Sequence, residues 1–362
     1  MTFYFEDLCN QIINYLDLKI LFSELHSDSY KMIKLILNIF GNIFNSDSES
    51  RKKLLNEKMC QHLSDLFYRI EEKSVYDYIK IEVIREIIMV STCVIRHFKK
   101  ENLFEKCFQL FNLIHKCILI KDLQIKQYLF LAISYAGKNN ANLIFDSISE
   151  MEFSDINLLI NMEDFNSKFA ALSLILRISS SYPSILSDLS YQQLILSLVK
   201  ILDKRDEVRL IILTLKSIQK IIDYKFLFHS FFKNNGGYIV ALQIITKFNF
   251  NRIIVQVILE IIYDKNDILG EESGLEEMII KLISKILQNE TSDEIILLSL
   301  EILSTIFDLE KKTKNNRISF TYLFEKEGGL QCISKLNIWD NKEIEEKACE
   351  FYEKYYYVKS ID

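Results

Sequence analysis

The sequence predicts an all-α chain made of helical repeats stacked in a line. Three observations carry that expectation. Proline is nearly absent, with Pro183 the single one in 362 residues, so the common helix breaker is missing. Apolar residues recur at the helical period along the whole chain. Similar helix starts recur at intervals that mostly fall in the forties of residues.

The helical period is clear in LILSLVKIL (194–202). Leu194, Leu198 and Ile201 fall at i, i+4 and i+7, with Ile195 and Leu202 beside them. In LEEMIIKLISKIL (275–287), Met278, Ile279, Leu282, Ile283 and Ile286 form one stripe, leaving Glu276, Lys281 and Lys285 for the other side. Capping side chains and early-turn acids mark helix starts at SDSES (46–50), at TSDE (291–294) and around Asp340 and Asn341, where unpaired N–H groups need acceptors. Glycines number 8, and no Asn-Gly or Asp-Gly turn sits between alternating apolar residues, so few tight hairpins are expected.

Candidate starts of a long inner helix lie near Asn56, Asn102, Ser149, Tyr191, Gly237, Gly274 and Gly329. The last interval is stretched by the polar insert LEKKTKNNRISFT (309–321). A period in the low-to-mid forties with two or three helices per repeat is the signature of armadillo or HEAT arrays. Such arrays bury each apolar face against the neighbouring repeat. Residues 1–362 therefore read as a single right-handed armadillo solenoid of about eight repeats. In that frame the pairs Gly236–Gly237 and Gly328–Gly329 are corners between helices, where glycine supplies positive φ and room for close approach, and Gly274 is a third corner.

Composition excludes several classes. Apolar residues at 49% and charged residues at 26% fit a folded chain rather than a disordered one. A net charge of −6 argues against a nucleic-acid binder. No apolar run has the length to span a bilayer. Seven irregularly spaced cysteines and an acidic start without a leader pattern point to the cytoplasm and nucleus. Cys93, His97, Cys107, His115 and Cys117 could be drawn as a zinc site, but no C-x-x-C occurs and cysteine is an ordinary residue of helical cores, so no metal is expected. His26, His62 and His229 have no nucleophile or acid at catalytic spacing, and no phosphate-binding glycine loop is present. The chain is read as non-enzymatic and free of cofactors.

The C-terminal stretch 291–356 resembles the last repeats of the importin-α family. A helix is followed by a polar insert, an acid-flanked GGL corner, a short joint and a final helix ending in EKYY. LAISYAGKNNANLI (131–144) is similar to that family's WAISY…GxN segment, and 237–265 aligns without gaps. Together these cover about half of the chain, and the part before residue 80 matches weakly. The resemblance implies an adapter that carries cargo with basic nuclear localisation signals. In that family a ladder of Trp and Asn, spaced W-x-x-x-N on the inner helices, grips an extended peptide. The amides bond its backbone, and the indole faces sandwich lysine stems.

Here the ladder is almost gone. The single tryptophan, Trp339, lies in the C-terminal joint. The pairs matching the motif are Ile88 and Thr92, Leu131 and Tyr135, and Ile258 and Ile262, while Thr305 takes the amide position of its helix and the helix 207–222 offers Gln219. The resemblance thus assigns a groove to Thr92, Tyr135, Gln219, Ile262 and Thr305, with weak backbone bonding and little stacking. The basic segment through which the family binds importin-β has no counterpart, since residues 1–20 hold only Lys19 as a base. Importin-β binding is therefore not expected. The C-terminal resemblance keeps an export receptor among the expected partners. The alternative reading is an armadillo scaffold or assembly chaperone outside nuclear import. Acids beside the ladder positions would favour transport, and an apolar or basic lining would favour the scaffold.

Overall fold

The computed structural model describes residues 18–45, 51, 54, 58–72, 77–97, 103–139, 149, 151–184, 188–204, 207–224, 226–264, 273–289, 292–313 and 319–357. All regular structure among them is helical. The SDSES stretch, residues 1–17 and much of the 140–150 connection lie outside the described residues.

The chain divides after Leu194 into two compact units, where the sequence suggests one array. The first holds α1 (Leu18–Glu24), α2 (Tyr30–Phe44), α3 (Met59–Glu72), α4 (Asp77–His97), α5 (Leu103–Cys117), α6 (Leu123–Asn139), α7 (Phe153–Ile160) and α8 (Phe165–Ser181). The boundary falls within α9 (Asp188–Asp203). The second unit continues with α10 (Val208–Tyr224), α11 (Phe226–Asn234), α12 (Gly237–Lys247), α13 (Arg252–Tyr263), α14 (Ser273–Asn289), α15 (Asp293–Thr313), α16 (Phe320–Lys326), α17 (Gly329–Leu336) and α18 (Lys342–Tyr355).

Packing inside each unit runs from neighbour to neighbour. In the first, α4 lies between α2 and α6, and α6 lies between α4 and α8, while α3 packs on α5. In the second, α10, α13, α15 and α18 pack in succession, with α12, α14 and α17 as a parallel row. This is the contact pattern of helical repeats. The predicted starts at 191, 237, 274 and 329 do open helices, and those at 56 and 102 fall just before α3 and α5. They do not open the long helices, however. Each of these helices is shorter than the one after it, as with α17 at 8 residues and α18 at 14. The longer successors form a row within each unit, called here the ladder row.

Local sequence accounts for the element ends. Ser29, Asp164, Asn251 and Asn341 cap α2, α8, α13 and α18, each accepting a main-chain N–H from the first turn. Asp293 and Glu294 occupy the first turn of α15. The glycine pairs divide their work. Gly236 and Gly328 hold φ of 71° and 79°, in the left-handed region. Gly237 and Gly329 begin α12 and α17 so close to Phe232 and Phe324 that a Cβ would lie 2.2 Å from each ring. The shared pattern is F-x-x-x-G-G, in which the phenylalanine closes onto the second glycine of the corner it precedes. Gly274 is not such a corner. It sits in the first turn of α14 at an ordinary φ, with nothing near its Cβ position. Glu276 also departs from expectation, being buried at 3% exposure on the side of α14 assigned to solvent.

Candidate functional site

The ladder-row helices repeat one burial pattern. In α4 the buried positions are Val83, Ile84, Ile87, Ile88, Val90, Ser91, Thr92, Val94 and Ile95. In α6 they are Ile125, Lys126, Leu129, Phe130, Ala132, Ile133, Ser134 and Ala136, the same series 42 residues on. Aligning the half-buried gaps in that pattern sets the phase of every ladder helix. One position runs through Met89, Leu131, Ser173, Lys216, Glu260 and Glu301; the position four residues later runs through Cys93, Tyr135, Arg177, Lys220, Asp264 and Thr305. Successive members of the second series are 42, 42, 43, 44 and 41 residues apart.

Tyr135 and Thr305 are half-buried. Thr92 and Ile262 are not. They are 5% and 2% exposed and face the neighbouring helices, and their assumed partners Ile88 and Ile258 are buried with them. Thr92 Oγ1 bonds the carbonyl oxygens of Ile88 at 2.8 Å and Tyr128 at 3.0 Å. Its counterpart on α6 is Ser134, whose Oγ donates to Ser173 O at 3.0 Å. These hydroxyls tie one repeat to the next. Gln219 is half-buried but one residue out of phase, beside Lys220. The residues that sequence reasoning missed are Cys93, Arg177, Lys220 and Asp264. Their signal was the spacing of the buried doublets rather than the W-x-x-x-N motif.

In the first unit the row is apolar and basic. The Arg96 guanidinium lies 5.7 Å from the centre of the Tyr135 ring. Arg177 is half-buried, its Nε makes no hydrogen bond among the described residues, and desolvation lowers its pKa. Burial raises the Cys93 thiol, against a smaller opposing effect of Arg96. Burial also raises the Glu86 carboxyl. Farther along, Lys34 pairs with Glu82 at 2.8 Å, and Arg85 pairs with Asp122.

In the second unit the row carries Lys216 and Lys220 on α10 and acids on α13 and α15, of which Glu260 and Glu301 are bonded within the chain. Glu260 accepts from Gln219 at 3.4 Å and from Gln256 at 3.1 Å, and Gln256 also donates to Glu294. Lys347 of α18 reaches Glu301 at 2.5 Å, and Lys354 reaches Asp308 at 2.8 Å. The Tyr355 hydroxyl donates to Asp308 at 2.7 Å; burial comes first in pushing its pKa up to about 12. A cleft of about 310 Å³ opens here, lined by Tyr263, Glu301, Thr305, Lys347, Glu350 and Lys354. Trp339 stays off the row; its Nε1 donates to Asp293 at 3.1 Å, tying the last joint to the start of α15.

The other sequence candidates are dispersed. Among the described residues, no three His, Cys, Asp or Glu side chains gather as a metal-binding group. Cys107 lies 3.8 Å from Cys60 between α3 and α5, and burial pushes the Cys117 thiol up to about 12. His62 stacks on Phe22, and His229 meets Tyr238 edge-on. No described helix is long and apolar enough to cross a membrane.

No family model and no curated protein matches the chain. Among solved structures, the crystal structure of an engineered protein aligns over 96% of this chain and 90% of its own, at 13% identity and a TM-score of 0.61. That likeness concerns the fold alone.

Proposed function

We propose that the chain is a non-catalytic, cofactor-free adapter of the importin-α kind, binding an extended protein segment along its ladder row. The observation that supports this most is the series Cys93, Tyr135, Arg177, Lys220, Asp264 and Thr305, which presents one accessible side chain per repeat. Regularly spaced contacts suit an extended ligand, which offers its groups at regular intervals. In this reading the repeats form a right-handed armadillo superhelix with the row on its concave side. The acids at Glu260, Asp264 and Glu301 make the second unit the place for a basic signal. The protein would work in cytoplasm and nucleus, without importin-β, and would meet an export receptor through its C-terminal repeats.

A fluorescence-anisotropy titration with a lysine-rich nuclear-signal peptide tests the proposal. Binding that weakens about tenfold in a Glu260→Gln/Glu301→Gln double variant is expected, in line with charge-assisted hydrogen bonds. Binding unchanged by that variant would remove the basis for a basic cargo.

A second reading has a specific observation behind it. Glu301 and Asp308 already hold Lys347 and Lys354 of α18, and Glu260 holds two glutamine amides. An incoming lysine must displace them. This favours a scaffold or assembly chaperone that keeps the helical frame and recognises something other than a basic signal. Affinity purification from the native cell separates the two: recovery of the export receptor supports transport.

A further inference from the structure

We infer that the ladder row of the first unit is a docking surface for an extended, apolar protein segment bearing carboxylates, a ligand opposite in charge to the one the second unit suits. The inference rests on the adapter reading for its extended geometry, and on its own observations for its chemistry.

The first observation is the unmet demand of Arg177. It sits on α8 one turn beyond Ser173, whose carbonyl is held by Ser134 of α6. Among the described residues no carboxylate reaches its guanidinium, and Nε is buried without an acceptor. A half-buried, unpaired guanidinium is costly, and an arriving carboxylate would relieve the cost with a charge-assisted, two-pronged bond. The second observation is Arg96. It is exposed, and its guanidinium lies over the Tyr135 ring. A cation resting on an aromatic ring is positioned without being neutralised.

The third observation is what surrounds them. Cys93, Leu131 and Tyr135 are half-buried on α4 and α6, the helices of the row that precede α8 and Arg177. Glu86, also on α4, is half-buried, its Oε2 has no hydrogen-bond partner among the described residues, and burial raises its pKa. Glu82 and Asp122 are held by Lys34 and Arg85. A lysine-rich segment would thus meet two arginines, and of the three acids only Glu86 is outside an ion pair among the described residues. A segment alternating apolar residues with Asp or Glu would match both the half-buried side chains and the cations.

The test uses the whole chain and two labelled peptides in anisotropy titrations, one alternating leucine and glutamate and one alternating leucine and glutamine. The glutamate peptide is expected to bind about tenfold more tightly. Arg177→Leu and Arg96→Leu are each expected to reduce that preference severalfold. Equal binding of the two peptides, or a preference that survives both substitutions, overturns the inference. Circular dichroism checks that each variant is folded; if Arg177→Leu does not fold, Arg96→Leu, at an exposed position, decides alone. Glutamate binding without lysine binding leaves this inference standing and ends the basic-cargo reading. The reverse pattern ends this inference alone.

Discussion

Arg85 holds Asp122 with both prongs of its guanidinium, Nε to Oδ1 at 2.9 Å and Nη2 to Oδ2 at 2.5 Å. The same carboxylate accepts the main-chain N–H of Ile125 at 3.0 Å. One side chain therefore starts α6 and fastens it to α4.

Asp122→Ala is expected to destabilise the first unit by about 2 kcal/mol, combining a lost cap with a lost part-buried ion pair. Asp122→Asn keeps a capping oxygen and should lose about half as much. Urea denaturation followed by circular dichroism at neutral pH measures both. Burial acts to raise the Asp122 pKa, but Arg85 and the capping bonds outweigh it and leave it below the usual 3.8. A depressed carboxylate stabilises above its unfolded pKa, so the advantage of wild type over Asp122→Asn should shrink as pH falls below about 3.8.

His97 ends α4 in a basic neighbourhood. Burial first, then Arg51 and Arg96, bring its pKa down from 6.5 to about 4. The unfolded chain therefore takes up a proton before the folded one does, and stability falls as pH drops from 6.5 toward 4. His97→Gln should flatten that part of the profile. Thermal melts at pH 7 and pH 5 read this directly: the gap between the two melting temperatures is expected to narrow in the variant.

The glycine corners separate two kinds of strain. Gly237→Ala and Gly329→Ala force Phe232 or Phe324 to move and should each cost about 1–3 kcal/mol. Gly236→Ala and Gly328→Ala place a Cβ in the left-handed region and should each cost about 1 kcal/mol. Gly274→Ala meets nothing in the first turn of α14 and should be neutral or stabilise by up to about 1 kcal/mol. Chemical denaturation of the five variants gives the order.

The phase of the ladder can be tested by restoring amides. Ile262→Asn puts an amide into a site 2% exposed and should cost about 3 kcal/mol or more. Thr305→Asn and Asp264→Asn lie on the accessible side and should each change stability by less than about 1 kcal/mol. Equal tolerance at positions 262 and 264 would contradict the assigned phase.

Part of this molecule could be read directly from the order of its residues. The 3.6-residue period of Leu194, Leu198 and Ile201 requires a helix with one buried face, and all three are buried. Asn341 followed by Glu343 and Glu345 is a helix start in any context, and it starts α18. The paired glycines after Phe232 and Phe324 are corners because only glycine tolerates both the positive φ and the adjacent ring. Gly274 has the same chemistry but neither a paired glycine nor the preceding phenylalanine, and it is not such a corner.

By itself, then, the sequence determined that the chain is helical, that its helices recur with a period in the forties, and where two of its corners lie. Only the tertiary structure decided which side of each helix is left accessible. The ladder helices α4, α6, α13 and α15 are each enclosed by a helix before, a helix after and a companion, so apolar residues occupy most of their circumference. A shift of one residue turns a side chain by about 100°, which moves the groove position from Thr92 to Cys93. Periodicity cannot resolve that step when Ile, Val, Ser and Thr lie on both sides of it. The contacts of Thr92 with Tyr128, and of Ser134 with Ser173, resolve it by showing which hydroxyls are spent between repeats.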